Sequence, residues 1–157
     1  MRFNETGTDC VADIPPLERY MNERLKCPPI YLTQEHADLL LPQFHETAAY
    51  RGWTLLAVAV MSNHAHLVVG VPGDPDPSDV LGDLKGYASG PLNRRWGKPA
   101  SGTWWTEGGS KRKKRDEAAI LEAVRYVRDQ HEPLVLWLNE DALLAHFGVS
   151  VLGERGA

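Results

Sequence analysis

Two apolar runs separated by two polar residues constrain the fold of this chain more than any other feature. Residues 53–61 read WTLLAVAVM, Ser62 and Asn63 follow, and residues 64–71 continue as HAHLVVGV. Runs of β-branched and apolar side chains joined by two turn-forming residues are typical of a β-hairpin. We therefore predict a buried hairpin over residues 53–71.

Helical signals lie on both sides of this hairpin. Thr33 can cap a helix that Gly52 ends, and Pro42 should kink this helix or mark its true start. Ser78 can cap a second helix, whose end Pro91 should disturb. These signals place one helix before the hairpin and another after it.

The last third of the chain predicts further alternation of helix and strand. TWWT at 103–106 reads as a short strand, and Asp116 can cap a helix that continues to His131. LVLWL at 134–138 reads as another strand, and DALLAHF at 141–147 as a small helix. This order indicates an α+β fold, best matched by a ferredoxin-like antiparallel sheet with helices packed on one face.

The length of the chain favours one domain. At 157 residues it can bury a single sizeable core, so we predict an irregular segment over 1–30 and one folded domain over 31–157. No run approaches the roughly eighteen apolar residues of a membrane span, and residues 1–10 lack a signal-peptide pattern. We expect a cytoplasmic protein without a membrane partner.

Two histidines interrupt the second apolar run. Because side chains alternate along a strand, His64 and His66 should point to one face, with Ala65, Leu67 and Val69 on the opposite, core-facing side. Two imidazoles held side by side by a rigid strand suit a metal site. The alternative is that they lie on a solvated sheet face.

The predicted helix after Asp116 offers side chains that could complete such a site. Tyr126 and Gln130 are four residues apart and therefore share a helix face, and His131 is an alternative ligand. A tyrosine is a poor nucleophile because its unperturbed pKa is about 10, but a divalent ion that polarises a phosphate can assist its attack. The competing interpretation is that Tyr126 is a packing residue at the edge of the core.

Charge is segregated along the sequence although the net charge is only −4. Between Lys85 and Arg128, eleven Lys and Arg stand against four Asp and Glu, a balance of +7, and the rest of the chain carries −11. A local cationic field can attract phosphates whatever the total charge. The segment is therefore a candidate nucleic-acid surface, or simply a solvated surface.

Three stretches together resemble a known family. VMSNHAHLVV resembles the His-hydrophobic-His motif of single-tyrosine transposases, and DLKGYASGPLNRRWG followed by TWWTEGGSKRKKRDEAAILEAVRYVRDQ is similar to their REP-associated tyrosine transposase branch. The resemblance covers roughly residues 28 to 138. It implies a ferredoxin-like transposase domain that acts on single-stranded or hairpin DNA.

The resemblance also implies roles for individual residues. His64 and His66 would hold a Mg²⁺ or Mn²⁺ ion, with Gln130 as third ligand, and Tyr126 would form a 5′-phosphotyrosine. Tyr87, on the preceding helix, is the rival nucleophile. The DNA-contacting side chains would be Lys85, Arg94, Arg95, Lys111, Arg112, Lys113, Lys114, Arg115 and Trp105.

The sequence departs from the family pattern in two places. MRFNETGTDC at the start offers no convincing counterpart of the family's first strand, and Gly90 and Pro91 interrupt a segment expected to be a continuous, more basic helix. A non-catalytic nucleic-acid-binding module therefore remains an alternative function. A metal-dependent phosphoesterase acting on nucleotides is another, and we expect a monomer or a homodimer.

Overall fold

A three-stranded antiparallel sheet forms the centre of the described structure. The computed structural model describes residues 31–105 and 116–152, and within them the strands are β1 (Thr54–Val60), β2 (Ala65–Gly70) and β3 (Val135–Leu138). The strand order is β2-β1-β3. The predicted irregular segment 1–30, and with it the question of a first strand, lies outside these residues.

The predicted hairpin is confirmed. Val60 pairs with Ala65, and the backbone N–H of Met61 donates to the carbonyl of His64 at 2.7 Å, which leaves Ser62 and Asn63 as the loop. β1 is buried from its second residue to its last because it lies between two strands and has helices above and below it. This environment explains why the strand is continuously apolar.

Four helices of the described residues cover the sheet: α1 (Gln34–Arg51), α2 (Pro77–Trp96), α3 (Glu117–Arg128) and α4 (Glu140–Phe147). The α+β class is confirmed, but the helices occupy both faces rather than one. Val58 belongs to the apolar cluster shared with α1 and α2, whereas Ala57 and Ala59 belong to the cluster shared with α3 and α4. Successive side chains of β1 point to opposite faces of the sheet, and they are apolar on both faces. Each face therefore needs helices to cover it.

The two helices on the first face run through their prolines. α1 begins after Thr33 and is continuous past Pro42, so this proline does not mark its start. α2 is continuous past Pro91 to Trp96. A proline removes one backbone hydrogen bond, but the burial of Ala88 and Leu92 on either side of Pro91 holds that part of α2 against the core.

The observed cap of α2 differs from the predicted one. Asp76 is the N-cap, and its carboxylate accepts from the backbone N–H of Ser78 at 2.8 Å. Pro77 occupies the first helical position, where the missing N–H has no intrahelical partner to lose. The prediction that Ser78 is the cap is wrong, because the carboxylate of Asp76, two residues earlier, accepts from a backbone N–H at the start of the helix.

Residues 103–105 of the predicted TWWT strand have no strand pairing, and Thr106 lies outside the described residues. Both indoles are instead fixed to α2. The N–H of Trp104 donates to the side chain of Asn93 at 2.8 Å, and that of Trp105 contacts Ser89 Oγ at 3.0 Å. These side-chain contacts satisfy the indole groups without a sheet partner.

α3 ends at Arg128, three residues before the predicted end. Asp129 caps it, and its carboxylate accepts two hydrogen bonds from the Arg128 guanidinium at 2.7 and 2.9 Å. The same buried guanidinium donates to the carbonyl of Val151 at 2.7 Å. This arrangement stops the helix and ties the C-terminal segment to it, a pairing that periodicity cannot reveal.

The glycine that ends α1 predicts a measurable stability difference. Gly52 has φ +77° and open space at its Cβ position, so Gly52→Ala should lower the free energy of unfolding by about 1 kcal/mol through backbone strain alone. Gly82, inside α2 with equally open surroundings, is the matched control, because Gly82→Ala should raise it by up to about 1 kcal/mol. Urea unfolding measures the stability change of each variant. Equal changes in the two variants would contradict the role of Gly52 as the left-handed residue that ends α1.

The start of α1 contains a histidine whose pKa is lowered by burial. His36 Nδ1 accepts from the Thr33 backbone N–H at 2.9 Å, completing a capping box. Burial lowers the pKa of His36 below 6.5, and the nearby Glu35 partly opposes this shift. The folded state binds the His36 proton more weakly than the unfolded chain does. The stability that neutral His36 contributes is therefore fully present above pH 6.5 and is lost as the pH falls through the folded pKa.

His36→Gln tests this linkage because glutamine offers an acceptor that does not titrate. We expect the free energy of unfolding of the variant to fall less between about pH 7 and pH 5 than that of the wild type. Urea unfolding over this range measures it. Parallel curves for the two proteins would show that His36 does not carry the effect.

Candidate active site

The two histidines of the hairpin converge as the alternation of a strand predicts. His64 lies immediately before β2 and His66 within it, and their Nε2 atoms are 2.9 Å apart. The rings meet edge to face, with centroids separated by 4.6 Å. On the opposite face of the sheet, the apolar cluster shared with α1 and α2 packs against Ala65, Leu67 and Val69, as expected.

The turn residue before the pair contacts the first imidazole. Asn63 is exposed, and its Oδ1 lies 2.6 Å from Nδ1 of His64. An amide oxygen can only accept, so Nδ1 of His64 donates the proton in this contact. Nε2, the atom that faces His66, therefore carries the lone pair when the ring is neutral.

α3 brings a tyrosine to the same place. Tyr126 packs edge to face against His66, with ring centroids 5.5 Å apart and an interplanar angle of 88°. Its neighbours Val124 and Val127 are buried against the sheet, which fixes the position of the helix. Tyr126 itself remains 54% exposed, so its hydroxyl can be reached by a macromolecular substrate.

The two candidate third ligands have different surroundings. Gln130 lies just beyond the end of α3, half-buried, and its Nε2 donates to the carbonyl of Tyr126 at 3.0 Å. Its side chain is therefore held at the backbone of Tyr126 although the helix has ended. His131, the alternative ligand, is 91% exposed and lies 3.4 Å from the carboxylate of Glu132.

The geometry of the histidine pair fits a small divalent ion. Adjacent ligands of an octahedral ion at about 2.1 Å lie about 3 Å from each other, close to the observed Nε2 separation. Among the described residues, no group of three or more His, Cys, Asp and Glu is arranged to hold a metal. Two imidazoles would leave most coordination positions to other donors, such as the Gln130 amide oxygen and a phosphate.

The rival tyrosine is on the other side of the molecule. Tyr87 belongs to α2, which packs with α1 on the opposite face of the sheet, and its ring contacts that of Tyr50 at 5.9 Å between centroids. His66 and Tyr126 lie on the α3 face. The structure therefore brings only Tyr126 of these two candidates to the histidines.

The predicted DNA-contacting residues that can be described lie on or beside α2. Arg94 and Arg95 are exposed, and the guanidinium of Arg95 stacks over Trp96 at 4.9 Å. Lys85 and Trp105 are half-buried, and the Trp105 indole donates to the Lys85 carbonyl at 3.1 Å. Lys111, Arg112, Lys113, Lys114 and Arg115 lie outside the described residues.

An open groove of about 540 Å³ lies between α1 and α2. Arg94 and Arg95 line one side, and the opposite side carries carboxylates from Glu35, Asp38 and Glu46. A phosphate inside the groove would meet negative charge, so we expect DNA to contact the outer surfaces of the arginines. The sequence had suggested a more uniformly cationic surface here.

Sequence reasoning missed the contribution of two polar residues. Asn63 was interpreted as a turn residue, although its Oδ1 lies 2.6 Å from Nδ1 of His64. His36 was not singled out, although it contacts Trp96 with ring centroids 4.3 Å apart. An Asn directly before a ligand-like His, and a polar residue three after a Thr cap, are the signals that could have found them.

The fold and the site together define a protein with a histidine pair and a helix-borne tyrosine on one face of an antiparallel α+β sheet. The family model described as "Transposase IS200 like" matches residues 26–130. Because this match covers well over half of the sequence, the chain belongs to the IS200-like transposase family. No curated protein matches it.

Family membership assigns the general activity. The protein is a transposase, and DNA is the partner that this activity requires. The part of the chain that the structure describes contains no helix long and apolar enough to span a membrane. All four candidate site residues, His64, His66, Tyr126 and Gln130, lie within the matched segment.

Proposed function

We propose that this transposase belongs to the REP-associated tyrosine branch and cleaves and rejoins single-stranded or hairpin DNA through a 5′-phosphotyrosine on Tyr126. The observation that carries the proposal is the packing of the Tyr126 ring against His66, whose Nε2 lies 2.9 Å from that of His64. The proposed nucleophile and the two proposed cation ligands are thus adjacent within one chain.

In the proposed reaction the Tyr126 oxygen attacks the phosphorus of the scissile linkage. A bond between phosphorus and the tyrosine forms while the bond to the 3′ oxygen breaks, and the phenolic proton passes through solvent to that oxygen. A Mg²⁺ or Mn²⁺ ion held by His64, His66 and Gln130 would supply charge to polarise the phosphate. Rejoining is the reverse attack by a 3′-hydroxyl.

The positions of the basic residues support a DNA path over one end of the domain. His36, near the start of α1, contacts Trp96 at the end of α2, while Leu32 donates from its backbone to the carbonyl of Ser62 in the hairpin loop. These contacts bring Arg95 to the end of the sheet that carries the histidines. A DNA strand that leaves the site would therefore pass the exposed arginines.

Cleavage of end-labelled hairpin DNA tests the proposal. The substrate, taken from sequence flanking the gene, is incubated with the protein and Mn²⁺ and run on a denaturing gel. The proposal expects a protein-linked fragment that carries the label only when the label is on the 3′ side of the nick, because the protein joins the 5′ phosphate, and a second fragment with a free 3′-hydroxyl.

Other products would identify the alternative functions. Hairpin binding without cleavage in either Mg²⁺ or Mn²⁺ would contradict the proposal and indicate a nucleic-acid-binding module. Hydrolysis of free nucleotides without any protein-linked product would indicate a phosphoesterase. A label on the 5′ side of the nick that remains with the protein would reverse the proposed polarity.

A further inference from the structure

The hairpin loop contains a side chain whose identity the backbone does not explain. Two-residue hairpin loops often select Asn because it tolerates positive φ. Within residues 31–105 and 116–152, however, the only residue other than glycine with positive φ is Glu132. Asn63 therefore has an ordinary backbone conformation, and the feature that sets it apart is the 2.6 Å contact of its Oδ1 with Nδ1 of His64.

This contact determines which nitrogen of His64 can bind a cation. A neutral imidazole carries one proton, and a hydrogen bond to an acceptor at Nδ1 keeps it there. Nε2 then presents its lone pair toward His66, 2.9 Å away. With no acceptor at Nδ1, the proton could reside on Nε2, and this nitrogen would have to lose it before coordinating an ion.

We propose that Asn63 is a positioning residue that holds His64 in its Nδ1-protonated form, so that Nε2 is preset for a divalent cation. The inference rests on the proposed function, because it takes the histidine pair as the cation site. His64 enters metal binding in its final tautomer.

Three variants separate this role from the role of a loop former. Asn63→Leu removes the acceptor at similar size, Asn63→Asp keeps an acceptor oxygen, and Ser62→Ala changes the adjacent exposed loop residue. Circular dichroism and thermal unfolding establish that each variant is folded. Histidine tautomers are then read in metal-free protein by ¹⁵N NMR, and affinity for Mn²⁺ is measured by electron paramagnetic resonance.

We expect His64 to be protonated at Nδ1 in the wild type, in Asn63→Asp and in Ser62→Ala, and to shift toward the Nε2-protonated form in Asn63→Leu. The Mn²⁺ dissociation constant should rise about tenfold or more in Asn63→Leu alone. Rescue by aspartate is the outcome that a merely structural role would not produce. Unchanged tautomer and affinity in Asn63→Leu would overturn the inference.

The same titration distinguishes failure of this inference from failure of the proposed function. If Mn²⁺ binds the wild type and the binding disappears in His64→Ala, the cation site stands whatever Asn63 does. If Mn²⁺ binds equally well to wild type and His64→Ala, or not at all, the proposed site is wrong and the role of Asn63 is overturned with it.

Discussion

Tyr126→Phe should abolish the protein-linked DNA product while leaving hairpin binding intact. The substitution removes only the attacking oxygen, and the ring that packs against His66 remains. We expect adduct formation to fall to below about one-thousandth of the wild-type rate, as is typical when a covalent nucleophile is removed. The adduct is quantified on a denaturing gel, and binding is measured on a native gel with the same DNA.

Tyr87→Phe is the matched control for this experiment. It removes the same hydroxyl from an exposed tyrosine on the opposite face of the sheet, where the ring contacts Tyr50 rather than a histidine. We expect wild-type adduct yields. Loss of the adduct in Tyr87→Phe together with its persistence in Tyr126→Phe would transfer the nucleophile to α2 and contradict the site.

His64→Ala and His66→Ala should each remove both Mn²⁺ binding and strand cleavage. Each change deletes one of two nitrogens that lie 2.9 Å apart, so we expect cleavage to fall more than about 100-fold, beyond the usual effect of losing a residue that only supports a ligand. His131→Ala is the control, because that ring is 91% exposed. Equal losses in all three variants would show that the pair has no special role.

Mixing two inactive variants tests whether the site is formed within one chain. Tyr126 and His66 are in contact in the same polypeptide. A mixture of Tyr126→Phe and His64→Ala proteins should therefore stay as inactive as either alone. Recovery of adduct in the mixture would show that an active site can combine the tyrosine of one subunit with the histidines of another, and that the protein acts as an oligomer.

The hairpin and the facing of its histidines were predictable because both depend on local patterns. Two apolar runs with a two-residue break set the pairing, and alternation along β2 then decides that His66 and Leu67 face opposite sides. The caps at Thr33 and Asp116 were equally readable, because a side-chain oxygen meets the backbone N–H groups at the start of a helix.

What the sequence did not reveal depends on contacts between distant residues. α3 ends early because the Arg128 guanidinium pairs with the cap Asp129 and with the carbonyl of Val151, far along the chain. Trp105 is not part of a strand, because its indole is held by a hydrogen bond to Ser89 in α2. The apolar pattern of β1 requires a cover on both faces, but it does not specify that α3 and α4 cover the second one.

Locating the nucleotide on the protein tests the central claim most directly. The trapped adduct is digested with nuclease and trypsin and analysed by tandem mass spectrometry; cleavage after Arg125 and Arg94 places Tyr126 and Tyr87 on different peptides. We expect a nucleotide joined through its 5′ phosphate to Tyr126. A nucleotide on any other residue, or DNA cleaved without any modified peptide, would contradict the account.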